Sequence, residues 1–495
     1  MSPTSADTSG VFVEPVGDDA KDARVRVRAR RIGIIGAGPA GLAAARVFIE
    51  TGFTSVTVFE RNNDIGGVWC YTSDAVCHYN IPQDSADTAL LSNYDERCEF
   101  TGGFPTPLYN ELHTNLPTDN MQFTDFPFPP STPEFPSRHE VQAYVRAYAD
   151  TYDLRRLVQL NTEVTNIRYT GGQWRCRVRR LENPTAIVEE TLTFDALVVC
   201  SGRVSHPYIP DVKGLRELYQ NFPQKIIAAK EFRRPEEHKG QNVLVVGGAF
   251  SAFDISRQLS YTVASLHVSM APMKDEELNF DGFNKQMVPT VHPLIEKYTG
   301  TSVVFTDGTE IPLPDLVIYA TGYLYMYPFA DNQHPELLAC PEAISLKDAA
   351  TQLLPLSDGQ KTNDLYKYLV YIYNPTLAIL GVPFNIAPFP FYEYQSHYLA
   401  HLLRGDITLP SFAKMKEEWD TLVHDRPGKL VNKMGMDQIP YRNDLLEAVD
   451  QTVNEDKCIP RKRLYYITPD MPWAARLRMP ELHREALGYG RNFVS

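Results

Sequence analysis

The sequence predicts an α/β protein with two Rossmann-like dinucleotide-binding domains, and two glycine-rich turns are the main observation. The first turn is Gly36-Ala37-Gly38-Pro39-Ala40-Gly41, and the second is Gly247-Gly248-Ala249-Phe250-Ser251-Ala252. Each follows a short apolar run and precedes a helical pattern, which is the strand, turn and helix order of a dinucleotide fingerprint. A chain with two such turns is expected to pass electrons between two bound nucleotides.

The first unit contains every part of the fingerprint. Ile32 to Ile35 predict a strand, Leu42 to Ile49 a helix, and Ser55 to Phe59 a second strand that ends at Glu60. This acid follows the glycines by about twenty residues, where a carboxylate binds ribose hydroxyls. The glycines let the backbone approach a pyrophosphate that faces a helix N-terminus. A lone motif of this kind could be an ordinary turn, but the complete set predicts nucleotide binding.

The second unit lies between two buried strands. Asn242 to Val246 and Leu266 to Ser269 predict its strands, while Asp195 to Cys200 and Asp315 to Tyr319 each end in a turn of small residues. These two runs are predicted to be crossings between domains, so the first domain is discontinuous. The predicted division is a flexible N-terminal leader over 1–29, a first domain over 30–225 and 326–495 with a C-terminal helical extension, and an inserted domain over 226–325.

Composition excludes several classes of function. The 495 residues carry a net charge of -13, which argues against nucleic acid as a partner and favours a small molecule. The seven cysteines are scattered without a CxxC pair, which indicates free thiols in a reducing compartment and neither a zinc site nor a disulfide reductase. Without a signal peptide or an apolar run of membrane-spanning length, the protein is predicted to be cytoplasmic, with no membrane anchor.

The ordered motifs of residues 30 to 405 resemble the flavin-containing monooxygenases, which are class B flavoprotein monooxygenases, and fungal members in particular. Gly66 to Trp69 is similar to the GGxW element of that family, Tyr109 to Pro117 to its asparagine segment, and Ala320 to Tyr323 to its ATGY turn. The resemblance implies that FAD binds the first domain and NADPH the inserted one. It further implies an enzyme that uses O2 to oxygenate a nucleophilic nitrogen or sulfur of a small molecule through a flavin hydroperoxide.

The same resemblance assigns residues to the site. The catalytic candidate is Asn115; from spacing alone an asparagine before Leu-Pro is more often a turn residue, and the flanking match to the family favours the functional role. The cofactor-binding candidates are Gly36, Gly38, Pro39, Ala40, Gly41, Glu60, Arg61, Gly67, Val68, Trp69, Thr114, Leu116, Val164, Gly247, Ser251, Ala252, Asp254 and Gln395. Gln395 depends on a helix whose N-terminus points at the flavin; its aromatic neighbours could instead be core.

Two departures from the family pattern leave alternatives open. Gln224 and Ala228 stand where the family has glycine and histidine, and Ala249 stands at a glycine of the second turn. A Baeyer-Villiger oxygenase shares the architecture but needs the same histidine. A catalytically silent flavin-binding protein is the alternative from another class. For the additional phosphate of NADPH, Arg257 and Lys274 are candidate cations.

Overall fold

Two parallel sheets, joined by two short connections, organise the chain. The computed structural model describes residues 12–16, 24–73, 80–90, 104–183, 186–272, 283–341, 343 and 353–453. In chain order, the strands of the first stretch are β1 Phe12–Val16, β2 Arg24–Arg28, β3 Arg31–Ile35, β4 Ser55–Phe59, β5 Val158–Gln159, β6 Thr162–Thr170, β7 Gln173–Asn183, β8 Ala186–Phe194 and β9 Ala196–Val199. Its helices are α1 Pro39–Glu50, α2 Ala86–Leu90, α3 Thr118–Met121 and α4 Arg138–Thr151.

The remaining elements form the inserted unit and the C-terminal part. The inserted unit has β10 His206–Pro207, α5 Leu215–Asn221, β11 Ile226–Ala228, β12 Asn242–Val246, α6 Phe250–Leu259, β13 Ser265–Ser269, β14 Thr290–His292, β15 Ile295–Tyr298, β16 Ser302–Phe305, β17 Glu310–Pro312, β18 Leu316–Tyr319 and β19 Tyr323–Leu324. The C-terminal part has β20 Leu365–Tyr366, β21 Val370–Tyr371, β22 Leu377–Ile379, α7 Pro388–Arg404, β23 Thr408–Leu409, α8 Phe412–Asp425 and α9 Gln438–Asp450.

The larger sheet has the order β20-β21-β22-β9-β3-β4-β5, and its strands from β22 to β5 are parallel. Strands β6, β7 and β8, which come between β5 and β9 in the chain, form a separate antiparallel sheet. Strand β9 is wholly buried because α1 and other elements cover the sheet, as a parallel sheet requires. Since β22 joins this sheet only after the inserted unit, the discontinuous architecture predicted from the sequence is confirmed.

The smaller sheet is the centre of the inserted unit. Its order is β11-β18-β12-β13-β14, with every pair parallel. Helix α6 packs on one face, and α5 with the antiparallel β15-β16-β17 sheet packs on the other. Ile209, Leu215 and Leu218 are buried in this second core. The boundary expected at residue 226 therefore falls inside the unit, because the apolar face of α5 needs this sheet for its burial.

The N-terminal segment differs from the expected flexible leader. Strand β2 pairs antiparallel with both β1 and β23. Val25 and Val27 are buried, whereas Arg24 and Arg28 are exposed. This alternation of valine and arginine is the period of a strand with one buried face, and its high charge made it look like a leader. The expectation is wrong for Arg24–Arg28; residues 1–11 and 17–23 lie outside the described residues.

The C-terminal part matches its prediction more closely. Helix α7 ends at Gly405, whose φ of 85° caps the helix in the left-handed conformation. Helices α8 and α9 form the predicted helical extension, and residues 454–495 lie outside the described residues. Across the described ranges, no helix combines the length and the apolar character needed to cross a membrane.

Candidate cofactor and oxygenation site

A deep cleft opens at the carboxyl ends of β3, β4 and β9, where parallel sheets bind their ligands. Its empty volume is about 1320 Å³ with the open mouth included. The predicted residues that line it are Gly36, Gly38, Pro39, Ala40, Glu60, Arg61, Gly67, Val68 and Val164. The candidates from the first half of the chain are thus largely brought together in one place.

The first glycine turn has no room for side chains. Gly36 has a φ of 105°, and a Cβ there would lie 2.6 Å from the carbonyl oxygen of Cys200. A Cβ on Gly41 would overlap the carbonyl oxygen of Gly36, so Gly41 closes the turn without lining the cleft. A Cβ on Gly67 would lie 2.9 Å from the Cα of Gly38. The backbone of this turn is therefore open to a ligand only because these residues are glycines.

The N-terminus of α1 faces the cleft and can bind an anion. Its N-cap, Gly38, has extended backbone and provides no side-chain cap, and the first turn contains no acid. Pro39 occupies the first helical position, where a missing N–H costs nothing. The free N–H groups and the helix dipole together favour a pyrophosphate. This turn fits FAD.

Glu60 stabilises the turn from within. Its side chain is buried, and its Oε2 accepts a hydrogen bond from the backbone N–H of Ala37 at 2.8 Å. Its Oε1 accepts from the backbone and side-chain nitrogens of Asn62, both at 2.9 Å. Both lone pairs of Oε1 are therefore used, whereas Oε2 has one further lone pair. Glu60 can therefore hold the loop and still accept from a ribose hydroxyl.

The cleft is also lined by four residues that the sequence analysis did not predict. Cys200, His206, Met326 and Tyr392 line it. Burial, aided by the charges of Lys230 and Arg61, lowers the pKa of His206 to about 3, so its imidazole is neutral at physiological pH. Burial raises the pKa of the Cys200 thiol well above its usual value. The only signal for Cys200 was its place at the end of a parallel strand.

The second glycine turn has a similar construction. Gly247 has a φ of 138°, and a Cβ there would lie 2.5 Å from the carbonyl oxygen of Ala320. Helix α6 begins without a side-chain cap or a first-turn acid, and Ser251 in its first turn is exposed. Ala249 has φ -105° and ψ -176°, which is ordinary extended backbone. Alanine is therefore tolerated at this position. Ala252 is buried in the core of the inserted domain. This turn fits a second dinucleotide.

Asp254 has structural partners that tie the two domains together. The Tyr109 hydroxyl donates to its Oδ2 at 2.5 Å, and Gln258 Nε2 donates to the same atom at 3.1 Å. Arg257 donates to its Oδ1 at 2.6 Å. The carboxylate of α6 thereby holds the loop that begins at Tyr109. This arrangement favours a positioning role for Asp254 over direct contact with NADPH.

The same loop carries Asn115. Thr114 donates its backbone N–H to Pro136 and its hydroxyl to the carbonyl oxygen of Leu116, at 3.0 and 2.8 Å. Asn115 is exposed, and within the described ranges its side-chain amide has no hydrogen-bond partner. Thr114, Asn115 and Leu116 do not line the flavin cleft. The structure thus presents the Asn115 amide on a fixed turn without using it for capping.

Two other candidates lie away from the cleft. Gln395 is fully buried; its Oε1 accepts from the backbone N–H of Gly381, and its Nε2 donates to the Tyr441 hydroxyl, each at 2.9 Å. On α7, the side chain of Gln395 points at the C-terminal extension. Tyr392, one turn earlier on the same helix, lines the cleft. Trp69 is half-buried and packs on the core of the larger domain. Neither side chain supports a direct cofactor contact.

Of the two candidate cations for the additional phosphate of NADPH, Arg257 already has a carboxylate partner. Arg257 forms an ion pair with Asp254 at 2.6 Å, and Lys274 lies outside the described residues. In the part of the chain that the structure describes, no group of three or more histidine, cysteine or acidic residues could hold a metal ion.

Comparison with known proteins agrees with this geometry. The model of the flavin-binding monooxygenase-like family matches residues 83–274 and 271–460, and a model of NAD(P)-binding Rossmann-like domains matches residues 34–85. The chain belongs to the flavin-containing monooxygenase family. Its cofactors are therefore FAD and NADPH, and it is an oxidoreductase.

Relatives of this flavin-containing monooxygenase occur in plants and fungi. It is 32% identical to flavin-containing monooxygenase FMO GS-OX-like 2 of Arabidopsis thaliana, over 79% of this chain and 77% of the relative. It is 25% identical to flavin-containing monooxygenase ustF2 of Aspergillus flavus, over 85% and 92% of the two chains. Among solved structures, S-allyl-L-cysteine S-oxygenase from Allium sativum matches with a TM-score of 0.69 and 25% identity, over 94% of each chain.

Proposed function

We propose that this monooxygenase uses NADPH and O2 to oxygenate a nucleophilic nitrogen or sulfur of a small molecule. The observation that carries the proposal is the Asn115 turn, which is anchored by Tyr109 to Asp254 of the inserted domain and presents an amide without an internal partner. The exposed amide is bonded to no described residue, so it is available to a ligand. An amide can donate to one oxygen and accept from another group, as a residue that orients NADP and the reacting oxygen must.

The residues of the chain divide the remaining work. The turn from Gly36 to Gly41 and the N-terminus of α1 hold the pyrophosphate of FAD, and Glu60 accepts from its ribose. Gly247 and the N-terminus of α6 hold that of NADPH. When bound, FAD supplies the hydride acceptance and oxygen activation that no protein side chain provides. We further propose that FAD binds the discontinuous domain and NADPH the inserted one.

Sulfur is the first substrate class to test. The solved relative with 25% identity is an S-oxygenase whose substrate, S-allyl-L-cysteine, is a thioether. A thioether sulfur is a soft, uncharged nucleophile at every physiological pH, whereas an amine must first lose its proton. We therefore rank thioethers before amines as substrates of this chain.

A cytoplasmic location of the protein also remains our prediction.

A ketone oxygenase is the second candidate because the fold also matches cyclohexanone monooxygenase, with a TM-score of 0.54 and 13% identity. That likeness concerns the fold alone. Ala228, at the position of the family histidine, is fully buried in β11 and pairs with Tyr319 of β18. The chain thus has no imidazole at this position, which argues against the histidine-dependent ketone reaction.

The test begins with the purified, FAD-loaded protein under anaerobic conditions. Addition of NADPH should bleach the flavin, and subsequent air with a panel of thioethers, amines and ketones should give an oxygenated thioether or amine by product mass. Failure of NADPH and NADH to reduce the flavin would support the silent flavin-binding alternative. Oxygenation of ketones alone would contradict the proposed substrate class.

A further inference from the structure

Arg203, which has no counterion among the described residues, lies beside the cleft. Arg203 follows β9, and its neighbours Gly202 and Val204 both line the cleft. It is half-buried, with its guanidinium 5.9 Å from the ring centre of Phe384. Within the described ranges it has neither an ion pair nor a hydrogen bond. Since a guanidinium stays charged and its burial is costly without a partner, this position calls for an anion.

A buried amide lies beside the same group. Asn432 is 1% exposed, and neither its Oδ1 nor its Nδ2 has a hydrogen-bond partner among the described residues. Burial raises the pKa of Tyr325, while the charge of Arg203 and the amide of Asn432 both oppose that rise. Both groups therefore lie near the Tyr325 hydroxyl. The Asn432 amide is near Tyr325 without hydrogen-bond geometry to any described residue, so a ligand that pairs with it gains affinity.

Hydrogen bonds fix the segment that carries Asn432. The backbone N–H of Phe384 donates to the carbonyl oxygen of Asn432 at 2.9 Å, and that of Met434 donates to Phe384 at 3.1 Å. The Tyr325 hydroxyl donates to the carbonyl oxygen of Val382 at 3.0 Å. The C-terminal extension is thus joined to the loop after β22. The backbone at Asn432 therefore needs little reordering when a ligand binds.

The phosphates of FAD are expected elsewhere. They belong at the N-terminus of α1, which follows β3, and the ribose partner Glu60 follows β4 on the far side of β3. Arg203 follows β9 on the opposite side, next to β22. The arginine therefore lies on the side of β3 opposite to Glu60, away from the position expected for the ribose.

We propose that Arg203 and Asn432 form a subsite that binds the carboxylate of an acidic substrate, such as a thioether that carries a carboxylic acid. A guanidinium binds the two oxygens of a carboxylate side by side, and the Asn432 Nδ2 adds a third donor. The subsite rests on the proposed function because it positions the sulfur of that substrate at the flavin. Charge-assisted hydrogen bonds of this kind correspond to about a 10- to 100-fold preference for the acid.

The test compares 3-(methylthio)propanoate with its methyl ester on the FAD-loaded enzyme. Two readouts are used for each compound: the dissociation constant from the change in the oxidised flavin spectrum, and KM and kcat for sulfoxide formation. The variants are Arg203→Met and Asn432→Asp, the second of which places a like charge beside the carboxylate. Arg203→Lys keeps the charge, and Arg156→Met makes the same change at an arginine that is 54% exposed.

The expected result is that Arg203→Met and Asn432→Asp weaken binding of the acid about 10-fold or more while the ester changes little. Arg203→Lys should retain part of the preference, and Arg156→Met all of it. Equal effects on acid and ester would overturn the subsite. An unchanged acid preference together with a lower flavin midpoint potential in Arg203→Met would also overturn the subsite. Arg203 would then stabilise the reduced flavin and would not bind the substrate. The spectral titration needs no turnover, so it reads the subsite even if the proposed oxygenation fails.

Discussion

Single residues determine whether FAD can bind, and Gly36 offers the clearest case. We expect Gly36→Ala to be purified with much less FAD per protein, because its Cβ would lie 2.6 Å from the Cys200 carbonyl oxygen in the pyrophosphate turn. Gly52→Ala is the matched control, since Gly52 has a nearly equal φ of 101° and nothing within 4 Å of its Cβ. The FAD to protein ratio after denaturation measures the effect. Equal loss of FAD in both variants would show that backbone strain alone, and not the close approach to the Cys200 carbonyl oxygen, is responsible.

Asn115 is predicted to act after the flavin is reduced. Asn115→Ala should retain FAD and its reduction by NADPH, yet release hydrogen peroxide in place of most of the oxygenated product, because the amide no longer orients NADP and the reacting oxygen. Asn221→Ala, in the exposed last turn of α5, is the control. Peroxide yield per NADPH is the measurement. Unchanged coupling in Asn115→Ala would remove this residue from the mechanism.

Glu393 gives a prediction about stability and pH. Burial raises its pKa to about 7, although hydrogen bonds from Thr124 and the charge of Arg46 oppose the rise. The folded protein therefore binds the proton more tightly than the unfolded chain, whose value is near 4.5. The stabilisation is complete below about pH 4.5 and is lost as the pH rises through 7, by roughly 3 kcal/mol at most. Glu393→Gln should not show this loss.

The comparison is between unfolding curves of wild type and Glu393→Gln across that pH range. The stability of the wild type relative to the variant should fall as the pH rises and then level off above about pH 7. A constant difference at every pH would mean that Glu393 keeps an ordinary pKa despite its burial.

At the scale of elements, the contact between Tyr109 and Asp254 matters most. The hydroxyl bond at 2.5 Å joins the Asn115 loop to α6, and a hydrogen bond to a charged group contributes about 1.5–3 kcal/mol. We expect Tyr109→Phe to retain both cofactors but to increase peroxide release and amide hydrogen exchange over residues 109–117. Tyr261→Phe, on an exposed tyrosine of the same domain, is the control. Faster exchange without uncoupling would limit this contact to a structural role.

At the level of single elements, the sequence was sufficient to predict the structure where a residue type has one common conformational role, as glycine has in tight turns. Gly405 ends α7, and Gly36, Gly41 and Gly247 lie where a side chain would clash, as their sequence patterns predicted. Strand β2 was missed because its arginines hid the alternation with buried valines. Gln395 was misplaced because the direction of a side chain on α7 depends on the C-terminal helix that packs against it.

For the whole molecule, the inserted domain was predictable because β9 and β18 each end in a turn of small residues. The antiparallel pair of β10 and β19 now marks the crossing itself. The starting point of the insertion was not predictable, since the burial of α5 depends on a sheet distant in sequence. Most of the first cofactor site followed from motifs. His206, Met326 and Tyr392 come from three separate segments and carry no local signature.

The most direct test of the central claim follows the oxygen atom and the electrons together. The FAD-loaded enzyme is supplied with NADPH, a thioether and isotopically labelled O2, and the sulfoxide is analysed by mass. The account predicts one labelled oxygen in the product for each NADPH consumed. Sulfoxide whose oxygen comes from water, or NADPH consumption that yields only hydrogen peroxide with every thioether and amine, would contradict it.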